Sequence, residues 1–317
     1  MMVKKPLRVA VAQATPVIFN LKKSLQKTIA LILECKAKNV ELILFPESFI
    51  PAYPRGLNFG AVVGKRTEEG RKLWQRYYDN SVVVPGPETE AIGEAAKSAG
   101  VFIAVGITEK DAVNGSLYCT LLYFSPAGKL IGKHRKLKPT GSERIIWGEG
   151  DGTTLTTFDT GYAIIGGLIC WENYMPEARL SMYRKGVQIY LAPTADARES
   201  WQDTMKHIAM EGRCFVLGCN QFVKKADYPD DLIPLLEHEP ELMSNGGSVI
   251  VSPMGDVISG PVWGEEKILI ADLDLTEVTR ARMDFDVTGH YARPDVFKLD
   301  IPDQPETIIV DSNPQEN

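Results

Sequence analysis

Gly166-Gly167-Leu168-Ile169-Cys170-Trp171-Glu172-Asn173-Tyr174-Met175-Pro176 is an apolar run that stops on a cysteine and gives way to a helix-like pattern. Residues 162–169 read as a strand, and Pro176 fits the first turn of a helix running to about Lys185, because a proline there forgoes an N–H that would be unpaired anyway. A strand handing over to a helix through a short turn is the repeating unit of α/β folds. Cys170 at that turn has two readings. Free cysteine is among the most buried residue types and often merely packs. Alternatively, the strand end fixes a nucleophile in place, and a nearby helix start supplies N–H donors and positive potential for a thiolate.

The same alternation extends outward. Residues 7–14 and 40–45 read as buried strands, with Pro46-Glu47 ending the second. Between them, residues 19–38 place Leu21, Leu25, Ile29, Ile32 and Leu33 on one helical face, with Asn20 as a cap. Helices are expected over 65–79 and 87–99, and a strand over 101–106. Residues 117–133 form a hairpin pattern around Ser125-Pro126-Ala127-Gly128. Further strands are expected at 153–158, 187–191, 215–217 and 268–274, with helices at 201–211 and 275–284. Residues 248–252 and 257–258 flank a Pro253-Met254-Gly255-Asp256 turn, another hairpin signal. The pattern predicts an α/β layered fold with a mixed sheet. With no internal repeat and no Gly/Ser linker, residues 1–302 are expected to form a single domain. Residues 303–317, polar and Pro-rich, are expected to be a mobile tail.

Composition narrows the function. The chain has 317 residues, 44% hydrophobic and 24% charged, enough to bury a large core without staples. A net charge of −6 and a pI near 5.4 argue against nucleic acid or an anionic membrane as the main partner. The cysteines Cys35, Cys119, Cys170, Cys214 and Cys219 are odd in number and irregularly spaced, so no disulfide framework is expected. Cys214 and Cys219 read as packing residues. Arg8 and Gln13 interrupt the first apolar run, unlike a signal peptide, and no apolar stretch approaches the length of about 18 residues that a membrane span needs. The expected location is a reducing cytoplasm.

The candidate chemistry is then limited. None of the histidines His134, His207, His238 and His290 pairs at i+2 or i+4, so no metal set is expected. Gly148, Gly150 and Gly152 have the wrong spacing for a phosphate loop. The basic run Lys133-His134-Arg135-Lys136-Leu137-Lys138 reads either as a solvated strand end or as a functional segment. On a continuing strand His134, Lys136 and Lys138 would share a face, and spacing does not choose among them. A Cys–His hydrolase would need a histidine base. His207 lies mid-helix, His290 in an aromatic, basic segment and His238 in a surface-loop-like stretch. The alternative base is Glu47, whose neighbours Leu44, Phe45 and Pro46 are apolar; burial there would raise its pKa. Glu47, Lys136 and Cys170 each follow an expected strand, and strand carboxyl ends are where α/β sheets assemble their sites.

Three separated motifs then stand in order: Leu44-Phe45-Pro46-Glu47-Ser48, His134-Arg135-Lys136-Leu137-Lys138-Pro139-Thr140 and Cys170-Trp171-Glu172-Asn173-Tyr174-Met175-Pro176. Together with residues 192–198 and 286–295 they resemble the nitrilase branch of the carbon–nitrogen hydrolase superfamily, over about residues 6–298. The resemblance implies a four-layer α-β-β-α sandwich with a Glu–Lys–Cys site. By motif, Glu47 matches the general base, Lys136 the catalytic lysine, Cys170 the nucleophile and Glu143 a second glutamate that orients the site. It thereby selects Lys136 over Lys138. It implies no metal or cofactor, a small-molecule nitrile as partner, and a homo-oligomer, either a dimer or a larger spiral. Trp171 after the nucleophile is like true nitrilases. Asn173 and Thr194-Ala195-Asp196 look like plant and bacterial enzymes acting on arylaliphatic nitriles. By analogy, Tyr53, Trp171 and Thr194 would line the pocket; Tyr53 could equally be a loop aromatic packed beside Pro51 and Pro54. The alternatives are an amidase, a nitrile or cyanide hydratase, or a non-catalytic scaffold, which the intact Glu47, Lys136, Glu143 and Cys170 disfavour. The open questions are the natural nitrile, the enantiomer preference, the acid-to-amide ratio, the oligomer size and the role of residues 222–245.

Overall fold

Val9 and Val11 face one way along the first strand and Ala10 and Ala12 the other, yet all are buried. A strand buried on both faces lies inside a stack of layers. The computed structural model of the protein describes residues 5–301 and 308–309. In chain order the first half is β1 (Leu7–Gln13), α1 (Leu21–Ala37), β2 (Leu42–Leu44), α2 (Glu68–Asp79), β3 (Val82–Val83), α3 (Pro87–Ala99), β4 (Phe102–Lys110), β5 (Leu117–Phe124) and β6 (Leu130–Arg135). The second half is β7 (Phe158–Asp159), β8 (Ile164–Gly167), α4 (Pro176–Arg184), β9 (Ile189–Pro193), α5 (Trp201–Gly212), β10 (Phe215–Cys219), β11 (Phe222–Lys224), β12 (Leu242–Val251), β13 (Val257–Trp263), β14 (Lys267–Leu273), α6 (Thr276–Ala281) and β15 (Ile308–Ile309).

These strands form two mixed sheets. One runs β14-β1-β2-β4-β5-β6, with β3 beside β4; the other runs β11-β12-β10-β9-β8-β7-β15, with β13 beside β12. Three apolar layers explain the stacking. Ala10, Ala12, Ile43, Ile103 and Val105 meet Ile32, Cys35, Ile92 and Ala96 of α1 and α3. Val9, Val11, Leu44 and Leu121 meet Ile165, Ile189, Leu191 and Leu217 between the two sheets. Tyr190 and Val216 meet Met182 of α4 and Met205 and Ile208 of α5. The result is the expected α-β-β-α sandwich. Each fully buried Leu, Ile or Val contributes about 1.5–3 kcal/mol, so the outer helices are held by their apolar faces. Among the described residues no helix is long and apolar enough to cross a membrane.

Several expectations shift in detail. Asn20 does cap α1, accepting from Lys23 N at 3.0 Å. Leu33, however, is 45% exposed, because it sits about 100° around the helix from the buried Ile32. The strand expected at 153–158 forms only at its end: residues 152–154 are a 3-10 turn, closed by the Asp151 carboxylate accepting from Thr153 N, residues 155–157 are irregular, and β7 begins at Phe158. Residues 222–245 are more ordered than a surface loop. They comprise β11, short 3-10 turns at Lys225–Asp227 and Ile233–Leu236, and the start of β12. The tail expected at 303–317 lies outside the described residues, apart from β15, which pairs in parallel with β7. All five cysteines are free and buried.

Candidate active site

Glu47, Lys136 and Cys170 are each placed just beyond a strand end. After β2 the chain crosses β4 so closely that a Cβ on Gly106 would lie 2.1 Å from the Pro46 carbonyl and 2.8 Å from Glu47 Cα. A glycine is therefore required beneath the turn that carries Glu47. That turn is held by Phe49 N donating to Gly106 O at 2.8 Å and by Gln221 Nε2 donating to Glu47 O at 2.7 Å. Lys136 follows β6 directly, its N–H donating to the Cys119 carbonyl at 2.8 Å. Cys170 follows β8 with a left-handed backbone, φ 53°. Such a conformation is costly for a non-glycine residue and is found where a side chain is held for use. Cys170 opens a single 3-10 turn, Cys170–Tyr174, and α4 begins only at Pro176. The expected support from a helix start is thus slight, and Lys136 supplies the positive charge instead.

Glu47, Lys136, Glu143 and Cys170 come together. Lys136 Nζ donates to Glu47 Oε1 at 2.7 Å and to Glu143 Oε2 at 2.8 Å. Glu143 sits in a 3-10 turn, where its Oε2 also accepts from Thr140 N at 2.6 Å and its Oε1 from Tyr53 Oη at 2.7 Å. Tyr53 in turn packs edge-on against Trp147. A second thiol, Cys119, donates to Glu47 Oε1 at 3.4 Å. Glu47 Oε1 is therefore crowded with donors, while Oε2 is buried with no hydrogen-bond partner among the described residues. The Cys170 thiol nonetheless lies near enough to favour the ionised carboxylate. Thr194 Oγ1 is 3.1 Å from Cys170 Sγ, and it accepts from Asp196 N at 2.9 Å. With that lone pair occupied, the hydroxyl hydrogen is directed at the sulfur.

Electrostatics follow from this burial. Desolvation raises the Glu47 pKa; the Lys136 charge opposes that rise and the Glu143 charge adds to it. Burial alone would lower the Lys136 pKa, but Glu47 and the neighbouring thiols and carboxylate lift it well above the usual lysine value. Burial and then the Glu47 charge push the Cys170 thiol up to about 12, against the pull of Lys136 and Thr194. Cys170 is therefore a protonated thiol at neutral pH beside an ionised lysine and the Glu47 carboxyl group, one oxygen of which has no hydrogen-bond partner among the described residues.

A cavity of about 420 Å³ leads to this group, lined by Tyr53, Glu143, Cys170 and Trp171 and also by Leu242, Met243 and Asn245. The end of the 222–245 segment therefore contributes to the wall of the site. Trp171 is 41% exposed; its Nε1 donates to Asp196 at 2.8 Å, and Arg198 lies over its ring. Thr194, expected in the pocket wall, contacts the Cys170 sulfur and is not among the side chains that line this cavity. The basic run is not a uniform solvated strand end. Lys133 and Arg135 pair with buried Glu109, His134 and Lys136 are buried, and Lys138 faces outward to Glu149. Because β6 ends at Arg135, the face shared along a strand stops there. His207 is exposed on α5 beside Glu211, and His290 packs on Tyr291. Among the described residues no group of three or more His, Cys, Asp or Glu side chains could hold a metal ion. Cys119 is not legible as a site residue, because its carboxylate partner is distant in sequence; Asp196 lies within a quoted motif, but its bond to Trp171 exists only in the folded chain.

The carbon–nitrogen hydrolase family matches residues 8–283, and the chain belongs to that family of enzymes. Within it the relatives are nitrilases. The chain is 49% identical over 304 residues to an aliphatic nitrilase of Sinorhizobium fredii, covering 96% of this chain and 98% of that one. It is 46% identical over 310 residues to Nitrilase 3 of Arabidopsis thaliana, covering 96% and 89%. A bifunctional nitrilase/nitrile hydratase of Lupinus angustifolius is 46% identical, covering 96% of this chain and 88% of that one. The crystal structure of Saccharomyces cerevisiae Nit3, a member of branch 10 of the nitrilase superfamily, shares the fold. Its TM-score is 0.72 at 20% identity, with 92% of this chain and 99% of that one covered.

Proposed function

We propose that the protein hydrolyses an organic nitrile to the carboxylic acid and ammonia through a covalent Cys170 intermediate. The observation that carries this reading is the open, buried Glu47 Oε2 beside a thiol held protonated. A thiol in that state needs a base to become nucleophilic. As the sulfur attacks the nitrile carbon, its proton passes to Glu47 and one C–N π bond becomes a lone pair on nitrogen. Lys136 stabilises and protonates that nitrogen, giving a thioimidate. Glu47 then passes the thiol proton to Lys136, restoring the carboxylate and the ammonium. Water adds to the thioimidate carbon, and its two protons reach the nitrogen through Glu47 and Lys136, so that the C–N bond breaks with loss of ammonia and leaves a thioester. A second water cleaves the resulting thioester, freeing the acid and returning the proton to sulfur. Glu143, bonded to Lys136 and Tyr53, orients the ammonium.

The aromatic and thioether side chains in the cavity wall, Trp171, Tyr53 and Met243, support an arylaliphatic or aromatic substituent on the nitrile. A second outcome shares the same intermediate: if its C–S bond breaks before its C–N bond, the product is the amide. The Lupinus relative described as bifunctional supports measuring both.

The test is release of ammonia, acid and amide from phenylacetonitrile, an aliphatic nitrile and phenylacetamide, with wild type and Cys170→Ala. Wild type should give acid and ammonia from phenylacetonitrile, and folded Cys170→Ala should give none. Turnover of the amide alone, or nitrile hydrolysis by the variant, would overturn the reading.

A further inference from the structure

We infer that Glu172 is a positioning residue that ties the Lys136 segment to the Cys170 segment across the two sheets. Glu172 is 1% exposed and does not line the cavity. Its carboxylate meets two backbone donors and a histidine ring from different places. Oε1 accepts from the N–H of Leu137, the residue after Lys136. Oε2 accepts at 2.7 Å from the N–H of Ile169, the residue before Cys170. His134 Nε2 lies 3.1 Å from Oε2 and 3.3 Å from Oε1, and the other ring nitrogen faces Thr154. Leu137 follows a strand of one sheet, and Ile169 follows a strand of the other.

A carboxylate suits this place for a chemical reason. Two backbone N–H groups from separate segments must each meet an acceptor, and only an ionised carboxylate presents an acceptor on both arms. An amide would present its NH₂ to one of them. By contrast, Asn173 donates to the Leu168 and Cys170 carbonyls and so braces the cysteine turn within its own sheet. Glu172 sets the distance between the lysine and the sulfur. A displacement of about 1 Å between reacting groups can cost about 100-fold in rate.

The inference rests on the reading of Cys170 as the nucleophile, so its test includes a readout that needs no nitrile. Glu172→Gln is compared with wild type in kcat and KM on phenylacetonitrile. Iodoacetamide alkylation of Cys170 is followed in parallel by intact mass, with chains that take up several adducts counted as unfolded, because all five cysteines are buried in the fold. Per folded site, kcat should fall by about 100-fold with KM within about threefold, and alkylation should slow by at least about tenfold. Per-site kcat and alkylation rates within about twofold of wild type would overturn the inference, as would a loss accounted for by fewer folded sites. Should Glu172→Gln not fold, Glu172→Asp keeps the charge but shortens the reach; an intermediate loss of about tenfold in kcat supports positioning, and wild-type kcat refutes it. If wild type itself turns over no nitrile, the nitrile reading fails, and the alkylation rates alone decide the role of Glu172.

Discussion

Lys136 stands between two carboxylates with its ammonium fully buried, an arrangement that is costly unless every charge is paired. Removing it leaves the buried Glu47 and Glu143 carboxyl groups without the cation that pairs them. Lys136→Ala is expected to lose at least about 100-fold in activity and about 3–5 kcal/mol of stability, the second read from urea unfolding. Lys138, half exposed against Glu149, is a surface pair worth at most about 1 kcal/mol; Lys138→Ala should keep activity within about twofold. Equal losses in the two variants would refute the assignment of Lys136. Glu47 and Cys170 stand out in the sequence because each follows an apolar run that ends abruptly, whereas Lys136 lies in a basic run and is singled out only by the family motif. Cys119 does not stand out, since its carboxylate partner lies 72 positions away and an isolated cysteine inside a strand looks like packing. Glu172 was visible within its motif, but its contacts at Leu137 and Ile169 exist only once the two segments meet.

At the scale of elements, the alternating patterns translated directly into structure where one face is apolar and the caps are local. The α1 cap and the β5–β6 hairpin are examples. They failed where side chains redirect the backbone, as Asp151 does in turning residues 152–154 away from a strand. Close backbone approaches are likewise invisible in one dimension. Gly106 looks like an ordinary strand glycine in sequence, yet it is what allows the Glu47 turn to rest on β4. Gly106→Ala is therefore expected to cost about 1–3 kcal/mol through overpacking and to lower kcat by at least about tenfold by displacing Glu47. Thermal unfolding with steady-state kinetics checks both; unchanged kcat in the folded variant would show that the turn is not set by this contact.

Across the whole molecule, the cysteines make stability depend on alkaline pH. Burial lifts Cys35, Cys170 and Cys214 to about 12, whereas unfolded thiols ionise near about 8.5. A raised folded-state pKa means the unfolded chain loses protons first as pH rises. Each thiol's contribution is thus fully present below about pH 8.5 and is lost as pH rises toward 12, at about 1.4 kcal/mol per pH unit per thiol. Urea midpoints should fall steadily from about pH 9 upward, and less steeply in Cys35→Ala; a flat profile between about pH 8 and 10.5 would exclude this linkage. The layering has another consequence. Glu47 and Lys136 hang from one sheet, Cys170 and Thr194 from the other, so turnover serves as a gauge of the gap between them. Leu217→Ala, in the layer between the sheets, and Ile208→Ala, outside it on α5, should each cost about 2–5 kcal/mol. Only the first should slow catalysis in molecules that remain folded. The enzyme's rate would then report the thickness of a hydrocarbon layer whose side chains never touch the substrate.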